Sequence, residues 1–273
     1  IERTRHKADS LLPGVIAWYD SLHLAGIFRD TTLIGCGDCT LHAVFAPAAA
    51  PAEAQGTAVV VHGYTDNHFG SLKYTRMYLD LGFNVILYDL RGHGANEVTF
   101  CTYSIRESRD LNVLIRDCRS RYPEAGLFGI HGESLGSATS IACLKEKPEI
   151  DFVVADCGFT SPWDINYKVA RDMHLPAFVM IPVANIFCKL LAGFGLREYS
   201  TLDAQKVNKL PTLFIHGTGD DFVPCEMSKE NYEACQAPKK LVLIPEAGHC
   251  KCYFYDKELY SGSIREWVDT YCK

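Results

Sequence analysis

The motif best suited to covalent chemistry is a serine between two glycines. Residues 132–136 read GESLG, directly after the β-rich run 126–131 and before a stretch with helical periodicity. A G-x-S-x-G motif between a strand and a helix is typical of a sharp turn that holds the serine hydroxyl above a sheet. The amino-terminal end of the following helix favours negative charge at that point. We therefore predict that Ser134 is a nucleophile.

A serine hydroxyl needs a general base, and His249 has the position expected of one. It ends the sequence PEAGH, which continues from the apolar run 241–245. The chain holds ten histidines. The others fall at strand ends, in turns or away from the expected face of the sheet, so we assign the role of base to His249.

The histidine in turn needs a carboxylate that holds its tautomer and stabilises the imidazolium. Residues 216–224 read HGTGDDFVP and lie at the end of another β-rich run. The pattern H-G-x-x-D-x-x-V-P selects Asp220 as this acid. Its neighbour Asp221, and Asp156 at the end of an earlier predicted strand, remain alternatives.

Acyl transfer also needs two N–H donors for the oxyanion. We predict the backbone N–H of Leu135, next to the nucleophile, and that of Tyr64 in the loop after the first buried strand; a surface turn without a role is the alternative for this loop. Because three side chains and two backbone donors suffice for the chemistry, we expect no metal and no cofactor. The side chains expected to contact the substrate are Tyr64, Phe159, Trp163 and Phe222.

The elements that must position these residues alternate along the chain. A predicted hairpin flanks Cys36 and Cys39, and a continuously apolar strand covers TAVVVHG at 57–63. Further short β-rich runs occupy 84–89, 126–131, 152–156, 212–217 and 241–245, with helical stretches between them. Strands that alternate with helices favour a parallel sheet with right-handed crossovers. We therefore predict the α/β class, with a mostly parallel central sheet flanked by helices, as a single domain over residues 1–273.

Two segments lie outside this alternation. Residues 1–30 form a predicted N-terminal helical extension, with a helix over 11–24. Residues 160–205 are interpreted as a short helical cap inserted after the sixth strand. The apolar stretch 176–196 within it is long enough to span a membrane, but Pro182, Asn185 and the flanking strands argue against a span. Interfacial membrane contact through the cap is the alternative.

Composition excludes some classes of function. The formal net charge is −6, with acidic and basic residues interspersed. Because no basic stripe is present to neutralise phosphates, we expect no nucleic-acid partner.

Several of the twelve cysteines lie in apolar runs, which favours buried free thiols and a cytoplasmic, reducing compartment. The chain begins with isoleucine, so we expect residues before it, and membrane anchoring and export stay open.

Some cysteines need separate interpretation. Cys36 and Cys39 form a C-x-x-C pair, which in other proteins is half of a zinc site, a redox pair or a local disulfide. Cys250 and Cys252 would supply the other half of a zinc site, but zinc ligands must converge and the two pairs lie far apart in the predicted fold. We interpret the first pair as turn residues without function, with a local disulfide as the next alternative. Because Cys225 and Cys250 lie near the predicted acid and histidine loops, we expect sensitivity to thiol reagents.

Taken together, these motifs resemble a known family. The set HGYTDN, YDLRGHG, GESLG, HGTGDDFVP and AGH is similar to the α/β-hydrolase superfamily over roughly residues 40–270. The order Ser134, Asp220, His249 is the order of that family. The sequences GSLKY and GIHGESLG resemble a bacterial group of serine carboxylesterases, whose members are often membrane-anchored or exported and carry a short helical cap. The resemblance implies hydrolysis of a carboxylic ester.

The first functional hypothesis is therefore a serine carboxylesterase that forms an acyl-enzyme. The apolar cap favours short-to-medium acyl or aromatic acyl esters as small-molecule substrates. A serine peptidase or amidase of the same fold is the alternative. A non-catalytic binding protein is less favoured, because all three residues of the predicted triad are present. The sequence makes no prediction of oligomeric state.

Overall fold

The computed structural model describes residues 1–122 and 126–271 of the chain. Its strands are β1 (Arg29–Ile34), β2 (Thr40–Ala46), β3 (Gly56–Val61), β4 (Phe83–Tyr88), β5 (Leu127–Glu133), β6 (Phe152–Asp156), β7 (Thr212–Gly217) and β8 (Lys239–Ile244). Its α-helices are α1 (Glu2–Leu11), α2 (Val15–Leu24), α3 (Leu72–Asp80), α4 (Ile105–Arg121), α5 (Leu135–Cys143), α6 (Pro162–Asp172), α7 (Ala177–Phe187), α8 (Thr201–Val207), α9 (Cys225–Ala234), α10 (Cys252–Tyr255) and α11 (Lys257–Tyr271).

These strands form one sheet in the order β1-β2-β4-β3-β5-β6-β7-β8. The hairpin strands β1 and β2 pair antiparallel, as do β2 and β4, and every following pair is parallel. The carboxyl ends of the parallel strands therefore meet along one edge of the sheet. The predicted α/β class with a mostly parallel sheet is confirmed.

The sheet is buried on both faces, which explains its continuous apolar strands. In β3, Ala58 and Val60 face the layer that contains α2, α3 and α11, whereas Val59 and Val61 face α4 and α5. Helix α4 begins with a capping box, in which the Glu107 carboxylate accepts the N–H of Ser104 at 3.0 Å. Helices on both faces thus hold the strand ends, and the loops beyond them, in a fixed arrangement.

The N-terminal extension contains two helices where the sequence predicted one over 11–24. Residues 12–14 separate α1 from α2. Gly14 has a φ of 81°, a left-handed conformation that favours glycine. Its N–H and that of Ile16 donate to the Asp9 carboxylate at 3.0 and 3.4 Å. The prediction of a single opening helix was therefore wrong, because the sequence Pro13-Gly14 and the acceptor Asp9 favour a break.

Residues 160–205 follow β6 and contain α6, α7 and the first part of α8. Ile181 packs against a core cluster that includes Phe214 of β7. The opposite face is open to solvent, where Phe178 is 72% and Leu190 75% exposed. Among the described residues, no helix combines the length and the hydropathy that crossing a membrane would require.

One buried carboxylate, that of Asp89, joins the loop after β4 to the loop after β3. Asp89 accepts the backbone N–H and the Nδ1–H of His68, each at 2.8 Å, and the N–H of Ala95 at 2.9 Å. Asp89→Ala leaves these donors unpaired, and we expect the free energy of unfolding to fall by about 3–5 kcal/mol. Denaturant unfolding measures this effect. The control Asp172→Ala removes a surface pair with Lys168 and is expected to cost less than about 1 kcal/mol; equal effects would contradict the prediction.

Candidate active site

Ser134 lies at a strained turn between β5 and α5. Its backbone has φ 55° and ψ −113°, which a serine adopts only when its surroundings enforce it. A Cβ at Gly132 would lie 2.2 Å from the carbonyl oxygen of Gly136, and a Cβ at Gly136 would lie 2.0 Å from that of Val61. Only glycine therefore fits on either side of the turn. The turn presents the serine side chain at the edge where the parallel strands end.

Two hydrogen bonds join the three predicted triad residues. Ser134 Oγ lies 2.9 Å from His249 Nε2, and His249 Nδ1 lies 2.7 Å from Asp220 Oδ2. A carboxylate only accepts, so Nδ1 carries the proton and Nε2 is free to accept from the serine hydroxyl. The structure thus brings together residues from three separate strand ends, in a geometry suited to general-base activation of the serine.

The carboxylate of Asp220 is fixed by four donors. Its Oδ1 accepts the N–H groups of Phe222 and Val223 at 3.0 and 2.8 Å. Its Oδ2 accepts from His249 and also from Nε2 of His216 at 3.2 Å. Burial raises the pKa of Asp220, but the hydrogen bonds from the two histidines outweigh burial and hold its pKa well below the ordinary value. The sequence marks His216 only as the end of a strand, so this role was not predicted.

The two alternative acids have other surroundings. Asp221 is exposed, and its backbone carbonyl accepts the ammonium of Lys168. Asp156 is buried, and its Oδ2 accepts the hydroxyls of Tyr74 and Tyr260 at 3.0 and 2.8 Å. Of the three candidates, Asp220 is the one whose carboxylate receives the His249 imidazole.

One predicted oxyanion donor, the N–H of Leu135, directly follows the nucleophile, and the loop that carries the other, Tyr64, comes close to it. Leu135 is the first residue of α5, so its N–H has no acceptor within the helix. The loop of Tyr64 approaches from the other side, since a Cβ at Gly63 would lie 3.5 Å from Ser134 Cβ. His62 fixes that loop: its Nδ1–H donates to the Gly63 carbonyl at 2.7 Å and its Nε2 accepts the N–H of Leu90 at 2.9 Å. Burial lowers the pKa of His62 to about 4, which keeps this tautomer neutral.

A cavity of about 570 Å³ opens above the nucleophile. Tyr64 and Phe222 line it, as expected, but Phe159 and Trp163 do not. Phe159 is buried in a core cluster with Val223. The Arg197 guanidinium stacks over Trp163, with 3.7 Å between its Cζ and the ring centre. The prediction that Phe159 and Trp163 contact the substrate was therefore wrong for this cavity. Its apolar lining includes Leu11, Leu12, Val15, Phe69, Leu72 and Phe254.

The cavity is covered by the N-terminal helix, whereas none of its lining residues comes from 160–205. Helix α1 is tied to the loop after β3 by three contacts. Lys7 Nζ donates to Asp66 at 2.9 Å, and Asn67 Nδ2 donates to the Thr4 hydroxyl at 2.7 Å. The Arg5 guanidinium lies 4.8 Å from the ring centre of Phe69. These tethers place α1 where the sequence led us to expect the inserted cap.

A buried ion pair lies next to the nucleophile and was not foreseen. Lys73 donates to the Glu133 carboxylate, and its ammonium lies 3.3 Å from the carbonyl oxygen of Cys250. The Tyr74 hydroxyl lies 2.8 Å from Glu133. Burial lowers the pKa of Lys73, but the charge of Glu133 outweighs burial and holds the pKa of Lys73 above the ordinary value. The pair connects the residue before Ser134 to the residue after His249.

The described cysteines are all free, and Cys272 lies outside the described residues. The C-x-x-C pair, Cys36 and Cys39, forms no disulfide. Cys157 and Cys250 lie close to the triad, with their sulfur atoms 3.7 Å apart. The sequence places Cys250 near the histidine loop, but its contact with Cys157 was not predicted.

Comparison with known families supports a hydrolase. A family model described as serine aminopeptidase, S33, matches residues 52–185, and a model described as serine hydrolase (FSH1) matches residues 129–250. The chain is 34% identical over 224 residues to the uncharacterized protein YqkD of Bacillus subtilis (strain 168), and the match covers 81% of this chain and 73% of YqkD.

Two further comparisons bear on length and fold. The uncharacterized protein YfhR of Escherichia coli (strain K12) is 25% identical over 201 residues, which is 72% of this chain and 64% of YfhR, so this chain spans just under two thirds of that relative. The esterase Pf2001 of Pyrococcus furiosus superposes with a TM-score of 0.73 at 23% identity, covering 90% of this chain and 93% of the esterase. This similarity establishes a common fold.

Proposed function

Because the chain belongs to the α/β-hydrolase superfamily of serine hydrolases, we propose that it hydrolyses carboxylic esters through an acyl-enzyme on Ser134. The observation that carries this proposal is the hydrogen-bonded chain from Ser134 through His249 to Asp220, in which Ser134 and His249 line the cavity.

In the acylation step, Ser134 Oγ attacks the ester carbonyl carbon and its proton passes to His249 Nε2. The imidazolium that forms is stabilised by Asp220 through the Nδ1–H bond of 2.7 Å. The N–H groups of Leu135 and Tyr64 stabilise the negative charge on the carbonyl oxygen. His249 then gives its proton to the departing alcohol, and the acyl group stays on the serine.

In the deacylation step, water takes the place of the alcohol. His249 accepts a proton from this water, whose oxygen attacks the acyl carbon. Collapse of the second tetrahedral intermediate returns the proton to Ser134 and releases the carboxylic acid. The cycle needs no group other than the three side chains and the two backbone donors.

The cavity supports an apolar acyl group of limited length. Its volume of about 570 Å³ falls within the usual range for small-molecule sites, about 300–1,000 Å³. The two carboxylates that line it, Asp66 and Glu133, are both paired with lysines. An aminopeptidase needs an acidic group for the ammonium of its substrate, so this pairing favours a neutral ester over a peptide with a free amino terminus.

A matched panel tests ester against amide hydrolysis. p-Nitrophenyl esters from acetate to palmitate are compared with the p-nitroanilides of the same acids. We expect turnover of the short and medium esters and little or none of the anilides. Efficient cleavage of anilides, or of aminoacyl anilides in particular, would favour the amidase alternative, and a protein inert towards every compound would overturn the proposal.

The proposed base predicts the pH dependence. Burial lowers the pKa of His249, but its hydrogen bond to Asp220 acts the other way, and the net pKa lies above the ordinary value of 6.5. Only neutral imidazole accepts the serine proton, so kcat/KM should fall as the pH drops through this raised pKa. We expect the acid limb of the profile to have its midpoint above 6.5. A midpoint at or below that value would contradict the assignment.

The position of α1 predicts which segment selects the acyl chain. Leu12→Trp fills part of the cavity, so we expect kcat/KM for the octanoate ester to fall about tenfold or more relative to acetate, since each buried methylene contributes about 0.8 kcal/mol. The matched control is Leu190→Trp in the segment 160–205, where the side chain is 75% exposed. If Leu190→Trp shifted the chain-length profile and Leu12→Trp did not, specificity would belong to that segment instead.

A further inference from the structure

Cys157 and Cys250 form a pair of thiols beside the proposed catalytic base. Cys157 directly follows β6, and Cys250 directly follows His249. Both have left-handed backbones, with φ of 45° and 59°, which non-glycine residues rarely adopt. Residues held in this way cluster at functional sites. The conformation of the two loops thus holds the thiols of Cys157 and Cys250 against each other.

The separation of the two sulfur atoms fits shared ligation of a metal ion. They lie 3.7 Å apart. Two thiolates that bind one zinc ion at about 2.3 Å in tetrahedral geometry are about 3.8 Å apart, whereas a disulfide requires about 2.05 Å. The two thiols hold this spacing through an S–H···S hydrogen bond, and the same spacing suits two thiolates on one zinc ion.

His249 supplies a third ligand atom. One ring nitrogen of His249 and the sulfur atoms of Cys157 and Cys250 all lie within 4.8 Å of one another. His249 Nδ1 is hydrogen-bonded to Asp220, so Nε2 holds the free lone pair. A carboxylate on the second nitrogen is the usual support of a zinc-bound histidine, because it fixes the tautomer and raises the basicity of the ligand.

We propose that these three residues form an inhibitory site for a soft divalent cation, with Zn²⁺ as the best fit to two thiolates and an imidazole. The ion reaches the site through the cavity, which His249 and Cys250 line. As each Zn–S bond forms, the thiol releases its proton to solvent. This site departs from the expectation of no metal that the sequence supported.

Bound zinc blocks the proposed acyl transfer. The ion occupies the lone pair of His249 Nε2, which lies 2.9 Å from Ser134 Oγ and is needed to accept its proton. Zinc therefore inhibits reversibly, and a chelator restores activity. This inhibitory effect rests on the proposed function, whereas zinc binding at the site does not.

Binding is tested first, on the full chain kept reduced with a phosphine and freed of metal with a chelator. Competition with a chromophoric chelator gives the affinity for Zn²⁺, and Co²⁺ serves as a second probe through its thiolate charge-transfer band. We expect Cys157→Ser and Cys250→Ser each to weaken binding by about 100-fold or more, because each removes a direct ligand and loss of a partner outside the coordination sphere already costs about 10–100-fold. The control Cys225→Ser should bind as the wild type does. Circular dichroism checks folding, and either ligand variant suffices if the other fails to fold.

Inhibition is measured on the same proteins as a fraction of each variant's own rate without metal. Zinc should inhibit the wild type and Cys225→Ser, and should inhibit the two ligand variants only at about 100-fold higher concentration. Binding that survives in both ligand variants, as it would at Cys36 and Cys39, overturns the proposal, and so does a wild type that binds no zinc. Zinc binding lost in the ligand variants of a protein without esterase activity would uphold the metal site and reject the proposed function.

Discussion

Replacing Ser134 with alanine is expected to lower kcat for the preferred ester by about 10⁵–10⁶-fold. The loss is this large because the variant has no atom that can form the acyl-enzyme, and only the oxyanion donors and substrate binding remain. Steady-state hydrolysis of the p-nitrophenyl esters, corrected for the buffer rate, measures it.

A serine on the same helix provides the matched control. Ser137 lies in α5, one turn after the nucleophile, and its hydroxyl is buried without a hydrogen-bond partner among the described residues. We expect Ser137→Ala to keep activity within about threefold of the wild type. Both variants should have near-native melting temperatures, since within the part of the chain that the structure describes the Ser134 hydroxyl bonds only to His249. More than about 1% residual activity in Ser134→Ala would exclude the covalent mechanism.

The second large effect is expected for Asp220→Asn, which should lower kcat by about 10⁴-fold. The amide cannot accept the Nδ1–H of His249 as the carboxylate does, so the imidazole turns to the wrong tautomer and its Nε2 no longer accepts from serine. The same change removes the charge that raises the pKa of His249. The acid limb of the residual activity should therefore move to lower pH.

Asp221→Asn is the control for this variant, because it changes the adjacent, exposed carboxylate. We expect its activity to stay within about threefold of the wild type. Should Asp221→Asn lose more activity than Asp220→Asn, the acid would have been assigned to the wrong residue. Asp156→Asn is less informative, since its buried carboxyl holds Tyr74 and Tyr260 and its loss perturbs the fold.

The parts of the site that follow strand ends were predictable from the sequence. Ser134, Asp220 and His249 each come just after an apolar run, and such runs end at one edge of a parallel sheet. Local chemistry then distinguishes each residue. Glycines that tolerate close backbone contact flank Ser134, whereas Asp220 is an aspartate in a turn and His249 is a histidine in the loop after the last strand. The sheet itself was predictable for the same reason, because buried parallel strands are short and continuously apolar.

The cover of the cavity was not predictable in this way. Helix α1 reads ERTRHKADSL, with almost no apolar periodicity, so its pattern predicts no buried face. It is held instead by Lys7 and Thr4, whose partners lie 59 and 63 residues away. The apolar stretch 176–196 predicted a cover more strongly, yet it packs elsewhere.

The close pairs near the site were hidden by their distance along the chain. Lys73 and Glu133 are separated by 60 residues, and Cys157 and Cys250 by 93. Neither pair belongs to a motif with fixed spacing, so a single sequence carries no signal that they meet. Only the fold brings them to the edge of the sheet that holds the nucleophile.

Covalent labelling of the native protein tests the identity of the nucleophile most directly. A fluorophosphonate probe reacts with an activated serine, loses fluoride and leaves an adduct that peptide mass spectrometry locates. We predict a single adduct on Ser134 in the wild type, no adduct in Ser134→Ala and a strongly slowed reaction in His249→Gln. A wild-type protein that stays unlabelled, or an adduct on another residue with Ser134 unmodified, would contradict the account.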